Sequence, residues 1–99
     1  VNLKLLDLSD NHFTNLDSVL DQSVRYGKLS EVYLANNELT DISGLSRAPA
    51  MNLLVLSGNG LTTEKIAQLA NYPYLLYLSL ADNEIDDISV AKKVLKACK

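Results

Sequence analysis

Few residues in this 99-residue chain are of types that could carry chemistry. His12 is the single histidine, so a histidine-based metal cluster is excluded, and any Ser-His-Asp arrangement would have to use it. It stands beside Asn11 with Asp10 close by, which reads as an exposed turn. Cys98 is the single cysteine; with no second Cys or His near it, it reads as the last apolar residue of a helix rather than a reactive thiol. Gly58 and Gly60 flank Asn59 and do not make a phosphate-cradling loop. Carboxylates are plentiful, yet Asp10, Asp82 and Glu84 recur at equivalent places of a repeated pattern, so they read as one charged edge rather than an acid/base pair. The side chains that catalysis requires are missing, so the expectation is a chain that is not an enzyme and uses no cofactor. What these residues can do is bind.

The elements that must position them come from a repeat. Residues 75–85 read LLYLSLADNEI, with Leu75, Leu78, Leu80, Asn83 and Ile85 spaced as L-x-x-L-x-L-x-x-N-x-L. The same slots are filled by Leu3, Leu6, Leu8, Asn11 and Phe13; by Leu29, Val32, Leu34, Asn37 and Leu39; and by Met51, Leu54, Leu56, Asn59 and Leu61. The asparagines at 11, 37, 59 and 83 lie 26, 22 and 24 residues apart. Alternate side chains of a strand point to opposite faces, so each L-x-L turns its leucines to one side. One such strand cannot bury that side alone; stacked in parallel, the copies make a continuous core. Each asparagine sits where the chain leaves its strand, and a carboxamide both donates and accepts, so Asn11, Asn37, Asn59 and Asn83 read as a structural ladder for backbone groups that no strand reaches.

Four tandem copies at this period resemble the leucine-rich repeat family along almost the whole chain. The resemblance implies an α/β solenoid of about four repeats, with a parallel strand ladder on the concave face and helices or 3₁₀ turns on the convex side. Residues 1–99 are then one domain with repeats starting near 3, 29, 51 and 75, expected to be part of a longer array or to lack caps. Within the family, the mixed spacing, the segment NELTDISGL and the absence of cysteine caps resemble the intracellular short-repeat group, which includes phosphatase regulatory subunits, axonemal and cytoskeletal adaptors and the leucine-rich domain of nuclear mRNA-export receptors. It implies a non-catalytic adaptor.

Composition is compatible with this. Hydrophobic residues make up 47% and charged residues 21%, ordinary for a globular chain. No apolar run approaches a membrane span and no signal-peptide pattern opens the chain. With one cysteine and no N-x-S/T sequon, the expected location is intracellular, cytoplasmic or nuclear. A net charge of −3 argues against a nucleic-acid surface.

Between repeats run the return segments. TNLDSVLDQSVRYGK has Leu16, Val19, Leu20 and Val24 at helical spacing and Gly27 as a stop, which predicts a helix. TDISGLSRAPA, broken by Gly44 and Pro49, predicts a 3₁₀ turn. Thr62 or Thr63 caps a helix carrying Ile66, Leu69 and Ala70 that ends before Pro73. DDISVAKKVLKACK places Ile88, Ala91, Leu95 and Cys98 on one face of a last helix, whose lysines form a solvated face. Repeat one starts with Leu3, and its open edge predicts another polypeptide or further repeats against residues 3–8.

The residues between the core leucines face outward and align in columns: Leu5, Glu31, Leu53, Tyr77; then Asp7, Tyr33, Val55, Ser79; then the small Ser9, Ala35, Ser57, Ala81. Leu5, Tyr33, Leu53, Val55 and Tyr77 make an apolar centre of the kind that marks a protein contact, bordered by Asp10, Asn36, Asp82, Glu38 and Glu84. The expected partner is a protein or peptide with an apolar ridge and basic flanks. The competing readings are an RNA-associated module like that of the export receptors, which would need a basic face with aromatic platforms, and a structural spacer within a larger array.

Overall fold

The computed structural model describes residues 2–21, 23–72, 74–87 and 89. Its strands are the x-L-x centres of the repeated motif: β1 (Leu5–Asp7), β2 (Glu31–Tyr33), β3 (Leu53–Val55) and β4 (Tyr77–Ser79). They form one four-stranded sheet in the order β1-β2-β3-β4, all parallel. Parallel neighbours cannot be joined by a tight hairpin, which is why a return segment separates each pair. The convex side carries 3₁₀ turns at Ser43–Arg47 and Ala67–Asn71 and the short helix α1 (Thr63–Ile66).

The core lies between sheet and return segments. Leu29, Val32, Leu34 and Leu39 from the second repeat, and Met51, Leu54, Leu56 and Leu61 from the third, are fully buried against Leu16, Leu20, Ile42, Leu45 and Ile66. A fully buried side chain of this size contributes roughly 1.5 to 3 kcal/mol. The leucines are not equally sheltered. Leu6, Leu8 and Phe13 in the first repeat, and Leu78, Leu80 and Ile85 in the fourth, are only partly buried, and Leu3 is 39% exposed. Among the described residues, β1 and β4 each have one strand neighbour where β2 and β3 have two.

The asparagine ladder is built as its chemistry requires. The carboxamide nitrogen of Asn59 donates to Leu56 O and Ser57 O of its own repeat and to Leu34 O of the preceding one, while its oxygen accepts Leu39 N–H. Asn37 repeats the scheme with Leu34, Ala35, Leu8 and Phe13, and Asn83 with Leu80, Ala81, Leu56 and Leu61. Asn11 donates to Leu8 O and Ser9 O. Leu8 O, Leu34 O and Leu56 O thus each accept from two asparagines in successive repeats.

The return segments depart from expectation in two places. Residues 14–21 and 23–28 form turns and irregular backbone instead of a helix: Leu20 N–H reaches Leu16 O for a single turn, and from there the backbone bonds elsewhere. The Asp21 carboxylate takes Ser23 N–H, Asp21 N–H donates to the Tyr26 hydroxyl, and Tyr26 N–H donates to Arg47 O. Side-chain acceptors and the next repeat have captured donors that a helix would need. The Arg47 guanidinium bonds back to Leu20 O, and Gly44 packs so close to Leu16 that an added methyl would lie 2.9 Å from its Cβ. In the third return segment, α1 passes into a 3₁₀ turn at Ala67, so Ile66, Leu69 and Tyr72 point inward at three-residue spacing and Ala70 is exposed. Thr62 occupies the cap position without a side-chain bond; Thr63 instead donates to the Asp86 carboxylate and accepts Asp86 and Asp87 N–H, tying the third repeat to the fourth. The last helix, expected with Ile88, Ala91, Leu95 and Cys98 inward, lies outside the described residues.

Asn59→Ala should lower unfolding free energy on the order of 2 to 3 kcal/mol, because it strands a buried N–H at Leu39 and removes carbonyl partners, and Asn11→Ala by about 1 kcal/mol or less. Urea titration of the two variants checks the ranking.

Candidate functional site

The strand face is positioned by register alone. Leu5, Glu31, Leu53 and Tyr77 are consecutive partners across the sheet, as are Asp7, Tyr33, Val55 and Ser79. The inward row between them, Leu6, Val32, Leu54 and Leu78, commits these two columns to the opposite face. Leu5 is 49% and Tyr77 54% exposed, and Tyr33, Leu53, Val55, Glu31 and Ser79 are half-buried among their neighbours. Tyr74 and Leu76, just ahead of β4 in the chain, are exposed as well. The third column is small, with Ser9, Ala35 and Ser57 half-buried and Ala81 open.

Charge on this face is one-sided. Asp7 on β1 and Glu31 on β2 are its carboxylates, and no Lys, Arg or His stands in any of the three columns. The Tyr33 hydroxyl donates to Glu31 Oε1 at 2.8 Å, and Asp7 Oδ1 accepts Ser9 N–H. The Glu31 hydrogen bond favours the neutral phenol; with partial desolvation and the negative charges of Glu31 and Asp7, it holds Tyr33 above the usual tyrosine range. The ion pairs among the described residues, His12 with Glu38 at 2.8 Å and Arg47 with Asp17 at 3.7 Å, lie off the three columns. The former joins two well-exposed side chains and adds little stability.

The polar border has a backbone cause. Asp10, Asn36 and Asp82 hold φ of 62°, 57° and 58°, and Gly58 holds 72° at the equivalent place. This left-handed conformation is open to Gly and tolerated by Asp and Asn. Asn36 donates to Asp10 Oδ1, and its own side-chain oxygen fills the space a Cβ at Gly58 would need. His12 reaches over to Glu38 across the same border, and Glu84 N–H continues the ladder onto Leu61 O. No group of three or more His, Cys, Asp or Glu among the described residues is placed to hold a metal ion.

Residues 2–22 match the profile of the Leucine Rich Repeat family. The fold is similar to an internalin from Listeria monocytogenes, with a TM-score of 0.79 and 28% identity over 95% of this chain and 26% of that one. It is also similar to a chain of the SNF/U2A' complex from Drosophila melanogaster, with a TM-score of 0.70 and 29% identity over 83% of this chain and 47% of that one. The chain is a leucine-rich repeat protein. Among curated leucine-rich repeat relatives it is 30% identical to Toll-like receptor 2 from Ovis aries over 81 residues, which is 82% of this chain and 10% of that one. It is 37% identical to the transforming growth factor beta activator LRRC32 from Mus musculus over 89 residues, 84% of this chain and 13% of that one. The chain thus spans about a tenth of the length of these relatives.

For this leucine-rich repeat protein the structure brings Leu5, Asp7, Glu31, Tyr33, Leu53, Val55, Tyr77 and Ser79 onto one surface, with Asp10 and Asp82 on its border. Sequence reasoning missed that the border has a conformational origin. The signal was present in the residues preceding the ladder asparagines, Asp10, Asn36, Gly58 and Asp82, the very types that accept a positive φ. It also missed the Tyr33–Glu31 bond, which joins residues two apart on one strand face.

Two outcomes follow for the purified protein. Asp82→Gly should stay within about 0.5 kcal/mol of the parent in urea unfolding, whereas Asp82→Val should lose roughly 1 to 2 kcal/mol or more, because a β-branched residue resists the left-handed backbone. In alkaline ultraviolet or NMR titration, Tyr33 should ionise above the ordinary tyrosine range, and Glu31→Gln should bring it back toward the ordinary tyrosine value. Its folded value is raised, so its contribution to stability is complete below about pH 10 and fades as pH climbs through that higher value.

Proposed function

We propose that this chain is a non-catalytic interaction module, an adaptor or scaffold, whose strand face binds a protein or peptide that itself presents an apolar ridge with basic flanks. The observation that carries the reading is the aligned apolar surface of Leu5, Tyr33, Leu53, Val55 and Tyr77, with its outermost members about half exposed on the sheet. Exposed apolar patches with polar rims serve contact, and tyrosine is enriched where binding energy concentrates. Asp10 and Asp82 remain in the proposed site as its border. The Drosophila neighbour is described in a complex, and the curated relatives are by name a receptor and an activator, which is in keeping with a binding role.

An RNA-associated role draws less support, since the strand face holds two carboxylates and no cation. The role of a mere spacer leaves the outward tyrosine of β4 without purpose. The exposed Leu3 and the edge of β1 fit further repeats or a neighbouring chain. A single cysteine and the absence of N-x-S/T sequons support an intracellular setting, cytoplasmic or nuclear. No helix among the described residues is long and apolar enough to cross a membrane.

The test is to isolate partners by affinity capture and identify them, then measure direct binding calorimetrically to the purified partner. Tyr33→Ala with Tyr77→Ala should weaken that complex by about 2 to 4 kcal/mol while leaving the circular dichroism and urea midpoint close to the parent. An unchanged dissociation constant would move the site to the convex return segments. Salt-sensitive binding of single-stranded RNA, with no protein partner recovered, would favour the RNA reading instead.

A further inference from the structure

The face described above is polarised along the direction that crosses the strands. Both of its carboxylates lie on β1 and β2, where Asp7 partners Tyr33 and Glu31 partners Leu5; β3 and β4 contribute Leu53, Val55, Tyr77 and Ser79 and no charge. Among the described residues, neither Asp7 nor Glu31 forms an ion pair. Tyr33 neighbours both, as the cross-strand partner of Asp7 and through its hydroxyl bond to Glu31. Two carboxylates and an aromatic ring, unmatched by any cation among the described residues, complement a guanidinium or ammonium group, which gains both charge and ring contacts. At the other end, half-exposed Tyr77 and half-buried Leu53 and Val55 carry no charge and complement an apolar group.

Resting on the proposed function, we infer that the partner lies across the strands in one orientation: a lysine or arginine between Asp7 and Glu31 against Tyr33, and an apolar side chain on Leu53 and Tyr77. The two subsites are centred two strands apart, on the order of 10 Å at the usual strand spacing. That separation matches about three residues of extended chain, or residues i and i+7 of a helix. The recognised element is therefore a short segment with a basic residue at one end and an apolar one at this distance.

The probe is a random twelve-residue peptide library displayed on phage, selected on the immobilised chain. The expected result is enrichment of peptides carrying Lys or Arg at that spacing from an aliphatic or aromatic residue. Synthesised, the best of them should bind tenfold or more weakly to the Asp7→Asn, Glu31→Gln double variant and to Tyr77→Ala. A nitroxide on the basic end should broaden the amides of β1 and β2 more strongly than those of β4. If Tyr77→Ala weakens binding but the double variant does not, or if the label broadens β4 more than β1, the orientation is wrong while the strand-face reading stands. If neither variant changes affinity, or if nothing is enriched over an uncoated surface, both fail.

Discussion

The sharing of one backbone carbonyl between two asparagines in successive repeats is the constraint from which the rest of the structure follows. Leu8 O, Leu34 O and Leu56 O lie just past their strands, where the ladder of main-chain bonds is giving out. A carbonyl there has two lone pairs to satisfy, and burial makes neglect costly. The carboxamide of the same repeat takes one and that of the next takes the other. Its oxygen simultaneously accepts an N–H from the preceding repeat, at Phe13, Leu39 or Leu61. The bond pattern fixes the stagger of adjacent repeats, and the stagger fixes which residues face the core. Once Val32 and Leu54 are committed inward, their neighbours along the strand have no alternative but the opposite face.

The residues that hold the fold are thereby separate from those that make the outward face. The core and the asparagines answer to packing and hydrogen bonding, and substitution there is felt as stability. Glu31, Leu53, Tyr77, Asp7, Tyr33 and Val55 stand in positions the sheet requires to be occupied but whose chemistry it does not dictate. A face assembled this way can change its preference without disturbing the scaffold beneath, as the repeat architecture generally allows. Tyr33 illustrates the division: its backbone belongs to β2, while its hydroxyl engages Glu31 rather than anything in the core.

What the sequence revealed, and what it hid, divides along the same physical line. Period and strand alternation place Leu34, Leu56 and the ladder asparagines correctly because every copy obeys one local rule. The return segments obey no such rule. Leu16, Val19, Leu20 and Val24 have helical spacing, but Asp21, Tyr26 and Arg47 supply competing partners that periodicity cannot weigh. In the third segment, the switch from α to 3₁₀ at Ala67 turned Ala70 outward and brought Tyr72 in. The unequal burial of Leu3 and Leu6 relative to Leu29 and Val32 depends on how many strands flank each copy, which the motif itself does not encode. The outward columns were legible because register follows from the motif; the bond between Tyr33 and Glu31 was not, because it depends on rotamers.

The left-handed backbone at Asp10, Asn36, Gly58 and Asp82 limits which signs of charge this margin of the sheet can adopt. Residues that enter that conformation readily are neutral or anionic, whereas a lysine or arginine would incur roughly 1 kcal/mol or more of conformational strain at each site. Over generations of substitution the margin can drift cheaply between uncharged and negative, but acquiring a row of cations there would erode the solenoid's stability with each step. A polyphosphate chain would consequently find little to hold along this rim, while a basic polypeptide could be accommodated without any change of backbone.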